Sequence, residues 1–167
     1  NNDGSSRSKR YLGEICNSHR GELDLIFPYH ENEIAQARCA HDSAVMANIW
    51  MHNGFLQVEG EKMSKSLGNF RTINAELDKY GGAVLRLNML KSKHSQPIDW
   101  TDAGLKLSGR ELSRWKDLLD SQQGSNPQGL KEIAASLADD LNTPKAITIL
   151  HSYYSGKNAP ALRSALE

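Results

Sequence analysis

The sequence lacks the features that mark membrane proteins and disulfide-stabilised secreted domains. Its 167 residues include only two cysteines, which cannot form a disulfide framework. No segment approaches the roughly 20 consecutive apolar residues that span a bilayer, and residues 1–10 have no apolar core like that of a signal peptide. We therefore expect a cytoplasmic protein with no membrane partner.

An excess of charge of one sign is also absent. The chain carries 20 Lys and Arg residues against 20 Asp and Glu residues, so its formal net charge is zero. This balance argues against binding to DNA or to anionic membranes through bulk charge. Residues 61–120 have an excess of positive charge, with 11 basic and 8 acidic side chains, whereas residues 1–60 hold 5 basic and 8 acidic ones. Residues 61–120 are the expected place for any contact with a polyanion.

The first third of the chain predicts an alternation of strands and a helix. Leu23–Phe27 is an apolar run typical of a buried parallel strand, and His30–Ala40 is a predicted helix. Val45–Trp50 is a second short, mostly apolar stretch, and Gly54–Val58 is predicted to be another strand, ending at a turn. Residues 1–10 have the composition of a disordered lead-in. Two parallel strands do not bury a core on their own, so we expect this part to belong to a larger sheet.

From Thr72 onward the apolar residues recur at three- and four-residue steps, which predicts helices. Thr101 and the Asn142-Thr143-Pro144 segment have the composition of helix starts. Residues 121–129 are a predicted loop, and Pro97–Trp100 a connector. The fold class that follows is α/β at the start and all-α afterwards.

Residues 62–66 are Lys-Met-Ser-Lys-Ser and form the most distinctive motif of the chain. Two lysines flank a small hydroxyl residue after a predicted strand. Ammonium groups so placed can neutralise the charge that develops on a triphosphate as pyrophosphate leaves. An ordinary exposed basic turn is the alternative interpretation. We call residues 60–69 the signature loop.

Three further motifs accompany this loop along the chain: FPYHENEIAQ at 27–36, WMHNGF at 50–55 and DDLNTP at 139–144. Together they closely resemble bacterial cysteinyl-tRNA synthetases, a class I family. The resemblance implies the end of a Rossmann catalytic domain in residues 1–59, a stem-contact fold with the signature loop in 60–100, and an incomplete tRNA-binding helical bundle in 101–167.

The family activates cysteine with ATP and transfers it to tRNA. The resemblance assigns catalytic roles to Lys62 and Lys65, and contacts to ATP to these lysines, Ser64 and Asp24. The family's first ATP signature, two zinc-binding cysteines and anticodon-recognition end have no counterpart in this sequence. Arg20 and Glu22 also replace family glycines beside the nucleotide. We therefore expect ATP binding to be weak or absent and the chain alone not to complete aminoacylation.

The family's zinc site is altered in the residues that are present. Its first histidine is replaced by Tyr29, while Glu33 is retained, and a neutral phenol is a poor ligand for zinc. We expect zinc to be absent, with Glu33 acting only as an acidic residue at a helix start. His30 and His52 are not expected to converge on a metal. Cys16 and Cys39 are expected to be ordinary buried thiols.

Two alternatives to a ligase remain open: a tRNA- or protein-binding module without catalysis, and a decaying or split gene product with no separate role. For weak, unspecific contact with tRNA phosphates the candidates are Arg71, Lys79, Lys91 and Lys93. Solvated helix faces would explain the same residues. The apolar stretches of the first third should be exposed in an isolated chain, which predicts self-association or a protein partner.

Overall fold

The structure, a computed structural model, describes residues 9–41, 43–121, 124 and 126–166. Most of the predicted disordered lead-in lies outside the described residues; Lys9 and Arg10 begin a short helical segment that ends at Leu12. The chain folds as two compact units, Asn1–Phe55 and Leu56–Glu167.

The first unit is built on two parallel strands joined by a helix. Strand β1 (Cys16–Glu22) pairs with β2 (Ala47–Asn53), and their register runs from Cys16 opposite Ala47 to Glu22 opposite Asn53. Helix α1 (Glu31–His41) connects them and carries acidic residues in its first turn, which confirms the predicted helix.

The predicted strand at Leu23–Phe27 is wrong. A 3₁₀ turn covers Leu23–Leu25 and a π turn covers Ile26–His30, while the strand lies one segment earlier. The pairing with β2 ends at Glu22, so the chain turns there towards α1. An apolar run without polar alternation does not reveal where a ladder of hydrogen bonds ends. Phe27 lies beyond the end of the pairing, and its side chain is 77% exposed.

The second unit begins with a three-stranded sheet in the order β4-β3-β5. Strand β3 (Leu56–Val58) turns through Glu59 and Gly60 into antiparallel β4 (Glu61–Lys62) and pairs in parallel with β5 (Ile98–Trp100). The predicted connector at Pro97–Trp100 is therefore wrong, because its last three residues are a strand. Three residues are too few to produce a recognisable alternation.

Six helices complete the described part of this unit. They are α2 (Ile73–Tyr80), α3 (Gly82–Leu90), α4 (Asp102–Ser121), α5 (Pro127–Ala138), α6 (Thr143–Ser155) and α7 (Ala159–Leu166). The sequence did not predict α7, and α5 starts inside the predicted loop. Within the described residues, every helix is too short or too polar to cross a membrane.

The helix starts predicted from the sequence at Thr101 and Asn142 are confirmed by their capping hydrogen bonds. The hydroxyl oxygen of Thr101 accepts a hydrogen bond from the Gly104 amide at 3.0 Å, and the Asn142 side chain accepts one from Lys145 at 3.2 Å. Each cap satisfies a backbone donor that the first helical turn leaves unpaired. The predicted break between α2 and α3 is confirmed at Gly81, whose φ of 75° suits glycine.

Two apolar cores stabilise the second unit. One lies under the sheet and joins Val58, Leu85, Trp100 and Leu105. The other lies among the later helices, where Trp115, Leu150 and Leu162 are among its buried members. Helix α4 supplies residues to both cores, so it connects the sheet to the helical part of the unit.

The buried carboxylate of Glu76 joins the sheet-side core to the segment that follows the signature loop. Its side chain is 3% exposed and accepts hydrogen bonds from Arg71 at 3.2 Å and from the indole N–H of Trp100 at 3.3 Å. A buried carboxylate is tolerated only when it is paired in this way. Glu76 therefore fixes the exit of the loop against β5.

We expect Glu76→Ala to lower the free energy of unfolding of the second unit by about 2–4 kcal/mol, since it leaves the Trp100 indole and the Arg71 guanidinium without their partner. Urea unfolding followed by tryptophan fluorescence measures the loss. Asp78→Ala, on the exposed face of the same helix, is the matched control and should change stability by less than about 0.5 kcal/mol. Equal effects of the two substitutions would contradict the role given to Glu76.

Candidate functional site

The signature loop leaves β4 and is held by an apolar side chain at its centre. Met63 packs against the core of Val58, Trp100 and Leu105, and its amide donates to the Leu56 carbonyl at 3.1 Å. Lys62 and Lys65 on either side are exposed. The loop therefore packs its half-buried methionine against the core and presents both lysines to solvent.

A set of short-range hydrogen bonds closes this loop on itself. The side chain of Asn69 accepts from the Ser64 amide at 2.9 Å and donates to the Lys62 carbonyl at 3.4 Å. The Ser64 hydroxyl accepts from the Leu67 amide at 3.3 Å and lies 3.1 Å from the Ser66 hydroxyl. Ser64 thus shapes the turn that carries Lys65. The contribution of Asn69 was not predicted from the sequence.

The proposed nucleotide residues of the first unit lie at the end of β1. Asp24 is exposed in the 3₁₀ turn that follows this strand, and Arg20 and Glu22 have exposed side chains. Gly21 between them is half-buried against the ring of His30. A methyl group added at Gly21 would lie 2.6 Å from His30 Cε1. This position needs glycine because the histidine ring occupies the space of a side chain.

Histidines and an acidic residue converge inside the first unit. Donor atoms of His19, His30 and Glu33 lie within 4.8 Å of one another. His19 Nε2 is 3.1 Å from Glu33 Oε2, and His30 Nδ1 is 2.8 Å from His52 Nε2. Burial and the neighbouring His19 lower the pKa of His30. The expectation that no donor geometry converges on His30 is therefore wrong. Glu33 lies in the first turn of α1 and also pairs with His19.

This group does not reproduce the zinc site that the resemblance implies. Tyr29, at the missing histidine position, is 62% exposed and stands outside the group. Among the described residues this group offers three donors, those of His19, His30 and Glu33, whereas a structural zinc site has four. The His30 ring also already shares a hydrogen bond with the His52 ring. The residues present therefore do not fit the family's four-ligand set.

The two cysteines differ in their surroundings. Cys16 is buried at the start of β1, as expected, whereas Cys39 is exposed on α1. The interpretation of Cys39 as a buried thiol is wrong, because α1 packs through the opposite residue, Ala37. Neither cysteine joins the group of His19, His30 and Glu33.

The four candidate tRNA contacts all lie beside carboxylates. Arg71 and Lys79 approach Glu76 at 3.2 and 3.9 Å. Lys91 and Lys93 approach carboxylates at 2.5 and 2.7 Å; their partners are Glu111 and Asp140. Asp140 raises the pKa of Lys93 through a hydrogen bond. A phosphate would have to compete with these carboxylates.

Helix α4 carries a row of basic residues that was not predicted from the sequence. Lys106, Arg110 and Arg114 follow one another at four-residue steps and line a cleft together with Lys79. Four-residue spacing places side chains on one helical face, so the sequence contained this signal. The row was missed because the helix was predicted from its apolar residues alone.

Comparisons with known proteins support the family that the motif of the signature loop indicates. The family model for the class I (C) tRNA synthetase catalytic domain matches residues 3–110. A cysteine–tRNA ligase of Nitrobacter hamburgensis is 55% identical over 155 residues, which cover 89% of this chain and 32% of that ligase. The cysteine–tRNA ligase of Rhodopseudomonas palustris is 48% identical over 170 residues, 98% of this chain and 36% of the ligase.

The fold has a solved counterpart among class I synthetases. A LeuRS of Agrobacterium radiobacter, crystallised in a ternary complex with tRNA and LeuAMS, is similar with a TM-score of 0.66 and 18% identity. The similarity covers 90% of this chain and 24% of the LeuRS chain. The chain spans about a third of the length of the curated relatives it matches.

We expect the purified chain to retain far less than one equivalent of zinc after dialysis, because the described group offers three donors and Tyr29 stays outside it. Elemental analysis of protein and metal in one sample measures the ratio. The paired substitution His19→Ala with Glu33→Gln is the control and should leave the ratio unchanged. A wild-type ratio near one that falls in this variant would show that the three donors do hold the metal.

Proposed function

Because the chain belongs to the cysteine–tRNA ligase family of class I aminoacyl-tRNA synthetases, we propose that it serves the ATP-dependent attachment of cysteine to tRNA. The signature loop carries this proposal. Its half-buried Met63 and its closure through Asn69 hold Lys62, at the end of β4, and Lys65, on the turn that follows, exposed to solvent. These two lysines are the proposed catalytic residues.

The proposed chemistry has two steps. The carboxylate of cysteine attacks the α-phosphate of ATP, which gives cysteinyl-adenylate and releases pyrophosphate. A hydroxyl at the tRNA end then takes the cysteinyl group, and AMP leaves. Lys62 and Lys65 stabilise the negative charge of the departing pyrophosphate, while Ser64 and Asp24 are the further proposed ATP contacts.

By itself this chain is proposed to bind ATP weakly and not to complete the reaction. Arg20 and Glu22 place side chains where the family has glycine, and Glu22 adds negative charge beside a phosphate ligand. The proposed segments are a catalytic-domain part in residues 1–59, a stem-contact part in 60–100 and a tRNA-binding bundle in 101–167. Zinc is proposed to be absent and the cytoplasm to be the compartment.

ATP–pyrophosphate exchange with cysteine tests the catalytic proposal. We expect none from the chain alone, and exchange when it is mixed with the part of a related ligase that precedes the matched region. Lys62→Ala with Lys65→Ala should lower that exchange by about a hundredfold or more, because both phosphate-stabilising charges are lost. Lys116→Ala with Lys145→Ala, two exposed lysines elsewhere, is the control.

Two outcomes of this assay would contradict the catalytic proposal. One is exchange that the Lys62 and Lys65 substitutions leave unchanged. The other is a mixture whose parts associate, as sedimentation shows, but whose exchange stays at background. The second outcome would favour a non-catalytic module.

Such a module is the second candidate function, and the exposed apolar side chains of the first unit favour it. Phe27 is 77% and Ile49 62% exposed, on segments around a sheet of only two strands. Exposed apolar groups on so small a sheet mark a contact surface. We propose that a second copy or a protein partner covers it, and that tRNA binding is weak and unspecific.

We expect the chain to self-associate or to bind exposed-hydrophobe dyes at high concentration, because Phe27 and Ile49 are open to solvent. Phe27→Ser with Ile49→Thr should reduce both signals in light scattering and dye fluorescence. Ile73→Ser removes an equally exposed residue of the second unit and serves as the control. A monomeric wild-type chain with no dye binding would contradict the proposal.

A further inference from the structure

A tight turn at the tip of the signature loop returns the chain towards the entrance of the loop. The Gly68 amide donates a hydrogen bond to the Lys65 carbonyl at 3.3 Å, which closes residues 65–68 into a turn. Gly68 has a φ of 66°, and a methyl group added there would meet no atom within 4 Å. The left-handed backbone, rather than a lack of space, therefore favours glycine here. The turn brings Asn69 back beside the end of β4.

The side chain of Asn69 bonds to the backbone on both sides of Met63. Its oxygen accepts a hydrogen bond from the Ser64 amide at 2.9 Å, and its nitrogen donates one to the Lys62 carbonyl at 3.4 Å. A carboxamide carries the same donor and acceptor as a peptide group. Strand β4 lies at the edge of the described sheet. Asn69 therefore pairs with the end of β4 as a neighbouring strand would.

These two hydrogen bonds set the position of Lys65 relative to Lys62. Lys62 is the last residue of β4 and Lys65 the first residue of the tight turn, so only Met63 and Ser64 separate them. Met63 is held by the sheet-side core against which it packs. Loss of the Asn69 bonds would free the Ser64 side of this segment, and Lys65 could then move relative to Lys62.

We propose that Asn69 is a positioning residue for the activation of cysteine, an inference that rests on the proposed function. Its amide acts through the backbone of Lys62 and Ser64 and holds the two lysines of the loop at the spacing that the departing pyrophosphate requires. Charges that are fixed before the reaction stabilise a transition state without having to be ordered during it. The loss of Asn69 therefore lowers the rate of the chemical step rather than the binding of ATP.

Limited trypsin digestion of the chain alone tests the closure of the loop without any catalysis. Trypsin cleaves after lysine, so cleavage reports how often the backbone at Lys62 and Lys65 opens. We expect Asn69→Ala to raise cleavage at both lysines about tenfold or more, because two hydrogen bonds to this backbone are lost. Asn74→Ala, at an exposed position of α2, is the matched control and should keep the wild-type rate. The urea midpoint of tryptophan fluorescence should stay unchanged in both variants.

ATP–pyrophosphate exchange in the mixture with the related ligase part, at a saturating concentration of that part, tests the positioning role. We expect Asn69→Ala to lower kcat about tenfold to a hundredfold, because a misplaced charge stabilises the transition state poorly. The KM for ATP should stay within about twofold of wild type. Asn69→Gln keeps the donor and the acceptor one methylene further out and should recover part of the lost kcat. Asn74→Ala should keep both constants.

The outcomes separate this inference from the proposed function. Cleavage that Asn69→Ala leaves unchanged would overturn the positioning role, whatever the exchange assay shows. Exchange that depends on Lys62 and Lys65 but not on Asn69 would overturn it too, as would a loss confined to the KM for ATP. A fall in the urea midpoint that accounts for both changes would assign Asn69 to stability alone.

A failure of the proposed function has a different signature. If the wild-type mixture associates but shows no exchange, the proposed function fails and the positioning role in that reaction falls with it. The digestion result still decides in that case whether Asn69 closes the loop.

Discussion

The signature loop depends on one buried ion pair. Glu76 is almost inaccessible, yet it accepts hydrogen bonds from Arg71, which follows the loop, and from Trp100 in the strand that pairs with β3. The loop entrance is fixed by the β3–β4 hairpin and by Met63 in the core. Because both ends are held, the exposed lysines are presented on a short, closed turn rather than on a free chain.

A cluster of histidines packs against the two-stranded sheet of the first unit. His19 on β1, His52 on β2 and His30 before α1 pack around Trp50, and Gly21 allows the His30 ring to approach the strand. The same packing leaves Phe27 and Ile49 exposed. A sheet of two strands has too little surface to bury both a polar cluster and its apolar flanks.

Electrostatics in the second unit divide its basic residues into two groups. Arg71 and Lys91 are partners of the buried or half-buried carboxylates Glu76 and Glu111, so they stabilise packing. The row from Lys106 to Arg114 has no such partner in the described structure. The candidates chosen from the sequence included Arg71 and Lys91 but not the row on α4, because a list of charges does not say which of them face a carboxylate across the fold.

The family is predictable from the signature loop and its neighbouring motifs, and the helix starts are predictable because caps and breaks act within a few residues. The strand at Leu23–Phe27 was misplaced and β5 was not predicted, since hydrogen-bond pairing joins residues far apart in the chain. Only the tertiary structure brought His19, His30 and Glu33 together and paired Arg71 with Glu76. Burial and charge pairing decide what a side chain can do, and both depend on the packing of segments that are distant in sequence.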